Sequence, residues 1–176
     1  QPEMSLGDNL VEVLRKAAEF VPASAGSILL DNPNEKLPDR RQNTLTFIAA
    51  FGEAAEELLG RRVPSDRGIA GHVYLTGSAY TAPDVREDSF FYSEIDRGTR
   101  YTTESLVAIP IRIGAEVCGV LELINRRDSR EFSEQDRHLL EIFASYISVS
   151  IQNVLDGRHA LEVAKRDNLT GLFNDR

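Results

Sequence analysis

Residues 104–125 read ESLVAIPIRIGAEVCGVLELIN. Two runs rich in valine, isoleucine and leucine flank a Gly114-Ala115 pair, the pattern of two antiparallel strands closed by a tight hairpin. A lone hairpin is marginal in water, so its apolar faces need further strands or a helix. Upstream, AGSILLD (25–31) and TLTFIAAF (44–51) read as two more strands. They form a second hairpin across the turn-rich DNPNEKLPDRR (31–41). SAYTAPDV (78–85) reads as a weak edge strand, and Phe90 to Arg100 as an irregular insert.

Helical patterns surround these strands. From Ser5 to Val21, the residues Leu6, Leu10, Val13, Leu14, Ala17 and Val21 form one apolar stripe at helical spacing, and Pro22 helps to end it. Glu53 to Leu59 reads as a short helix. In VPSDRGIAGHVYLTG (63–77), Asp66 is the expected N-cap of a helix through Tyr74 that Gly77 closes. The last helix begins at Ser133, whose SEQD run sets an acid three residues on, close to a capping box. No proline follows, so the helix is expected to run to about Asp167. Leu140, Ile147, Val154 and Leu161 repeat every seven residues along it, with Phe143 and Ala164 on a second seam that Ser150 and Gly157 interrupt. Such a repeat implies a parallel two-stranded coiled coil, although its first half could equally pack on the chain's own sheet. The element order predicts an α+β domain on one antiparallel sheet.

The chain has 176 residues, enough for one domain and an appendage. Its formal net charge of -8 argues against a nucleic-acid footprint, which needs a basic face. Arg61-Arg62 and the Arg126, Arg127, Arg130 group read as solvated turns. The one cysteine, Cys118, excludes an intramolecular disulfide and a multi-thiolate metal site, and its apolar neighbours predict a buried thiol. No apolar run approaches the ~20 residues of a membrane span. With no signal-peptide pattern at its start, the domain is expected in the cytoplasm.

GIAGHVYLTG, SLVAIPI, GVLELINRR and FSEQD follow one another over residues 68–136, and together they resemble a GAF domain. The resemblance implies a sheet of about six antiparallel strands with helices on both faces. It also implies a small-molecule pocket on one face, and first and last helices that commonly dimerise. It places the GAF domain at 1–153 and a linker helix at 154–166. Residues 167–176, DNLTGLFNDR, resemble the D-x-L-T-G-L-x-N-R opening of a GGDEF domain, the catalytic unit of diguanylate cyclases, with Asp175 where that family usually has arginine. The expectation is a bacterial chain that continues into a cyclase domain, with no catalytic residues and no metal site among residues 1–176.

Some GAF domains, notably those of phosphodiesterases, bind cyclic nucleotides and carry an Asn-Lys…Phe-x-x-x-Asp-Glu motif. Asn125 and Arg126 stand for its first pair, and Phe132 and Asp136 for the Phe-x-x-x-Asp spacing, while Arg137 replaces the glutamate. An Arg126–Asp136 bridge is expected to be structural. The resemblance also carries over a ligand set: Ser27 facing the base, Phe51 packing on the purine, and Ile69 and Ala70 at a helix start for the phosphate. Tyr92, Asp96, Thr99 and Thr103 on the insert and Glu122 on a central strand complete it. Gly52 departs from guanine-selective relatives, which have aspartate there, and this leans toward adenine. Each residue also has a plainer reading: Phe51 as core, and Asp96 and the threonines as turn formers. Glu122 is the least plain, because a buried carboxylate needs a partner. His72 reads as a packing residue rather than a haem ligand. The leading expectation is a cyclic-nucleotide (cAMP or cGMP) sensor acting as a homodimer with no separate cofactor. The alternatives are a sensor of another small molecule and a ligand-free dimerisation scaffold. A GAF-type methionine sulfoxide reductase is disfavoured, since it relies on several thiols.

Overall fold

The hairpin at 104–125 lies inside a six-stranded sheet in which every neighbouring pair is antiparallel. A computed structural model describes residues 5–93, 98–99, 102–128 and 131–161, and for 158–161 the backbone alone. The strands are β1 (Ala23–Asp31), β2 (Thr44–Phe51), β3 (Arg62–Pro64), β4 (Tyr80–Ala82), β5 (Leu106–Ile113) and β6 (Glu116–Arg126). Their spatial order is β3-β2-β1-β6-β5-β4. The two long hairpins, β1–β2 and β5–β6, meet along β1 and β6 at the centre. Gly114 turns the second hairpin at φ +64°, a conformation glycine adopts without strain. β4 is a short edge strand, as its sequence suggested. β3 replaces the solvated turn expected at Arg61-Arg62: three residues are too few to show a period, and Val63 alone is buried.

Successive side chains of a strand point to opposite faces, so each face has its own core. On one face lie α1 (Leu6–Phe20) and the long last helix, α4 (Glu134–Leu161). Leu10, Leu14 and Ala17 of α1 meet Leu121 and Leu123 of β6 in one apolar cluster. Ser5 caps α1 by accepting a hydrogen bond from the Asp8 amide. At the start of α4, the Asp136 amide donates to Ser133 Oγ and the Ser133 amide donates to Asp136, a reciprocal capping box. On the other face lie α2 (Ala55–Leu58) and α3 (Gly68–Thr76), over Leu29, Phe47, Leu106 and Val120. The N-cap of α3 is Arg67, not Asp66, and no side chain caps it.

The expected coiled-coil seam needs correction. Leu140 and Ile147 are both 0% exposed in the chain's own core, and Val154 packs against the same cluster. The side chain of Leu161 lies outside the described residues, as do Ala164 and the whole of 162–176. A seven-residue repeat is two helical turns, so a stripe facing a sheet and a stripe facing a partner helix share it. The exposed apolar residues of α4 are instead Ile142, Tyr146 and Val149, at 66%, 58% and 55%.

Candidate functional site

A cavity opens on the α3 face of the sheet. Its floor comes from β1 and β6, its sides from β2, α2 and the start of α3, and its mouth from the insert. The empty space is about 770 Å³ including the open mouth. Of the expected ligand residues, Phe51, Ile69, Ala70, Tyr92, Thr99, Thr103 and Glu122 line it together. Asp96 lies outside the described residues. Ser27 does not line the cavity: it is fully buried and sits opposite Glu122 in the β1–β6 register. Phe91 and Arg67 also line the cavity, and both were missed. Arg67 reaches it only because the turn before α3 does, and no local pattern announces that.

Two features give the cavity its chemistry. The first is the start of α3. Its opening amides have no side-chain cap, and amides in a helix's first turn have no intrahelical acceptor, so Ile69 and Ala70 present donors and a partial positive charge. The second is Glu122, 7% exposed on β6. Its described polar contact is the Ser27 hydroxyl, which donates to Oε1 across a long 3.5 Å. Burial pushes the Glu122 carboxyl up to about 7, and the Ser27 hydrogen bond only partly opposes this.

The insert is tied down at its exit. Asn125, just past the last β5–β6 pair at Ile124, has φ +59°, and its side-chain oxygen accepts from the backbone amides of Glu104 and Ser105 at 2.6 and 3.1 Å. Its side-chain Nδ2 donates to the Thr102 carbonyl at 3.0 Å. Next to it, Arg126 grips Asp136 through two hydrogen bonds of 2.6 and 3.0 Å. Burial alone would raise the Asp136 carboxyl, but Arg126 and the Ser133 amide hold it below the ordinary range. Phe132 is buried among the α4 core residues. Asn125, Arg126, Phe132 and Asp136 therefore fasten β6 to α4 and to the insert, and none of them lines the cavity.

The far end of α3 is locked by a network that the sequence did not reveal. Tyr74 donates to buried Asp31 at 2.7 Å and accepts from Asn43 at 2.9 Å. Lys36 reaches Asp31 at 3.4 Å, and the Arg40 guanidinium lies 4.1 Å above the Tyr74 ring. Burial pushes the Asp31 carboxyl and the Tyr74 phenol upward. His72 stacks on Phe90 with ring centroids 3.9 Å apart, which makes it a packing residue. Cys118 is buried and its thiol is pushed up to about 12, chiefly by desolvation, so it carries no thiolate at neutral pH. Among the described residues no cluster of three or more histidine, cysteine or acidic side chains could hold a metal ion, and no helix is long and apolar enough to cross a membrane.

Comparison with known proteins agrees with this architecture. The chain is 37% identical over 139 residues to the bovine (Bos taurus) cone cGMP-specific 3',5'-cyclic phosphodiesterase subunit alpha', covering 79% of this chain and 15% of that one. It is 29% identical over 155 residues to the probable 3',5'-cyclic phosphodiesterase pde-5 of Caenorhabditis elegans, covering 85% and 21%. The chain thus spans about a fifth or less of these relatives. The solved GAF domain of a phosphoenolpyruvate-protein phosphotransferase from Coxiella burnetii matches its fold with a TM-score of 0.73 at 17% identity, covering 89% of this chain and 88% of that one. Free methionine-R-sulfoxide reductase from Neisseria meningitidis shares the fold with a TM-score of 0.67 at 18% identity, covering 90% and 83%. The GAF domain family model matches residues 3–152, and on that match the chain belongs to the GAF domain family, a regulatory sensor fold.

Proposed function

We propose that this domain is a regulatory sensor that binds a cyclic nucleotide, cAMP or cGMP, between the sheet, α3 and the Phe90–Thr103 insert. The observation that carries the reading is the meeting of three complementary surfaces in one cavity. Phe51, Phe91 and Tyr92 offer faces for a base, the Ile69 and Ala70 amides suit a cyclic phosphate, and Glu122 offers the deep polar contact. Thr99 and Thr103 bring hydroxyls suited to a ribose. The similarity to the cGMP-specific cone phosphodiesterase supports the same ligand class.

The signal passes through β6. Glu122 faces the ligand, while Leu121 and Leu123 on either side of it press on the α1 and α4 core. A shift of β6 on binding reaches α4 directly, and the Arg126–Asp136 clasp ties the end of that strand to the helix start. The exposed stripe Ile142, Tyr146 and Val149 on α4 is the face for a second copy, since monomers seldom leave such a row uncovered. Residues 167–176 carry the GGDEF-like opening and support a place ahead of a diguanylate cyclase domain in the cytoplasm. Two cyclase units must meet to make cyclic di-GMP, so helix geometry can gate them.

Calorimetric titration with cAMP and cGMP tests the reading, alongside Glu122→Ala and Thr103→Ala. Micromolar or tighter binding of one nucleotide, weakened in both variants, is expected. No heat with either nucleotide from folded protein overturns it. The exposed stripe also favours a second reading, a ligand-free dimerisation scaffold, and that result would select it. Cyclase activity of the longer protein, with and without nucleotide, tests the proposed output.

A further inference from the structure

Glu122 stands apart from every other acid among the described residues. It lies at the floor of the cavity and is buried, and its described polar contact is one long hydroxyl interaction. Arg67 at the start of α3 is the cation that shares its cavity among the described residues, and its side chain is exposed rather than packed on the carboxyl. Its neighbours in register are Ser27 on β1 and Ala108 on β5. The titratable groups of α3 are engaged elsewhere: His72 is stacked on Phe90, and Tyr74 is bound to Asp31. Glu56 and Glu57 of α2 are exposed. On the cavity wall, Tyr92 sits beside Gly68 at the start of α3, and Arg67 is exposed there. Glu94, Asp96, Arg97 and Arg100 of the insert lie outside the described residues.

Gly52 leaves no acid beside Phe51, and the local backbone disfavours one. Gly52 has φ +111°, and a Cβ there would stand 2.7 Å from the Ala25 Cβ and 3.0 Å from the Ser24 carbonyl oxygen. No side chain fits at that position without strain. Glu122 is therefore the acid among the described residues that a base entering this cavity meets.

Resting on the cyclic-nucleotide reading, we propose that Glu122 determines which purine the pocket prefers, and that its protonation state sets the choice. The neutral acid presents one donor and one acceptor side by side. That pair complements adenine, whose ring N1 accepts and whose amino group donates, and it can also meet guanine's O6 and N1–H. The carboxylate only accepts. It keeps one partner on adenine, the amino group, and leaves N1 facing a negative oxygen. On guanine it finds two adjacent donors, N1–H and the 2-amino group. Ionisation therefore weakens adenine binding and strengthens guanine binding. Burial, only partly opposed by the Ser27 hydroxyl, places that change near neutral pH. The pocket reports pH as well as nucleotide, and its preference moves from cAMP toward cGMP as pH rises.

The test is calorimetric titration of the folded domain with cAMP and with cGMP at constant ionic strength, from pH 5.5 to 8.5. The Kd for cAMP divided by that for cGMP should rise about tenfold across the series, the effect of exchanging one hydrogen bond to a charged group. Glu122→Gln carries a permanent donor and acceptor, so its ratio should stay at the wild-type low-pH value throughout. A wild-type ratio that stays flat while either nucleotide binds overturns the proposal and leaves the cyclic-nucleotide reading intact. A pH dependence that persists in Glu122→Gln assigns it to another group, which also overturns the proposal. No binding of either nucleotide at any pH overturns both. Should Glu122→Gln not fold, the infrared carboxylic C=O band of the wild-type protein must fade over the same pH range as the ratio changes, and a band that does not track it overturns the assignment.

Discussion

On the α1 and α4 side of the sheet, β6 contributes Leu121 and Leu123; on the cavity side, between them, it contributes Glu122. The same strand serves an apolar core on one face and a polar floor on the other, and the difference lies in what each face must do. The helix face is closed by Leu10, Leu14, Leu140 and Ile147, all fully buried. The cavity face leaves space, keeps a buried carboxyl at the floor of that space, and starts α3 toward it with uncapped amides. Burying a carboxyl is unfavourable, and an empty floor forgoes packing. The proposed ligand would offset both costs on this face.

The largest expected effect is on the packed face. Leu140→Ala should lower stability by about 3 kcal/mol in urea denaturation, with the slope unchanged. Were Leu140 a seam residue between chains, the loss would instead scale with protein concentration.

Next comes the lock at the far end of α3. Tyr74→Phe removes the hydroxyl that satisfies both Asp31 and Asn43 and should cost about 2 kcal/mol in the same measurement. A cost near zero would show that the α3 end is held by packing alone.

Glu122 should behave in the opposite way. Its folded carboxyl is raised to about 7 from an ordinary 4.5. The folded state therefore holds the proton more tightly, and the stability this contributes is present below the ordinary value and lost as pH rises to about 7. Glu122→Gln should leave stability unchanged at pH 4 and raise it at pH 8, by on the order of 2 kcal/mol. Chemical denaturation at the two pH values checks this, and an equal effect at both would contradict the lone, buried carboxyl.

The smallest effect on folding should be at the exposed stripe. Ile142→Glu should change monomer stability by less than about 0.5 kcal/mol, yet abolish a dimer seen by sedimentation. A dimer that survives it places the contact elsewhere.

The sequence showed the sheet plainly and the site in part. Short apolar runs marked β1, β2, β5 and β6, and Ser133 with Asp136 marked the start of α4, because these signals are local. Glu122 was visible as an acid inside an apolar strand. What stayed hidden depended on distance or on an ambiguous period. Tyr74 finds Asp31 and Asn43 across 43 and 31 residues, and no short-range pattern reports that. The heptad of Leu140 and Ile147 fitted a sheet as well as a partner helix. Ser27 and Glu122 were both legible as polar residues in apolar strands. The β1–β6 register sets them side by side on one face, and only the cavity's lining shows that Glu122 reaches the open space while Ser27 does not.

The claim that the two faces divide binding from packing is tested most directly by 15N–1H correlation spectra of the domain, titrated with cAMP and then cGMP. The expected result is saturable shifts centred on the amides of Gly26, Ile69, Ala70 and Glu122, with smaller changes reaching α4 through β6. Spectra that stay unchanged with both nucleotides at millimolar concentration, or shifts centred on the exposed face of α4, would contradict it.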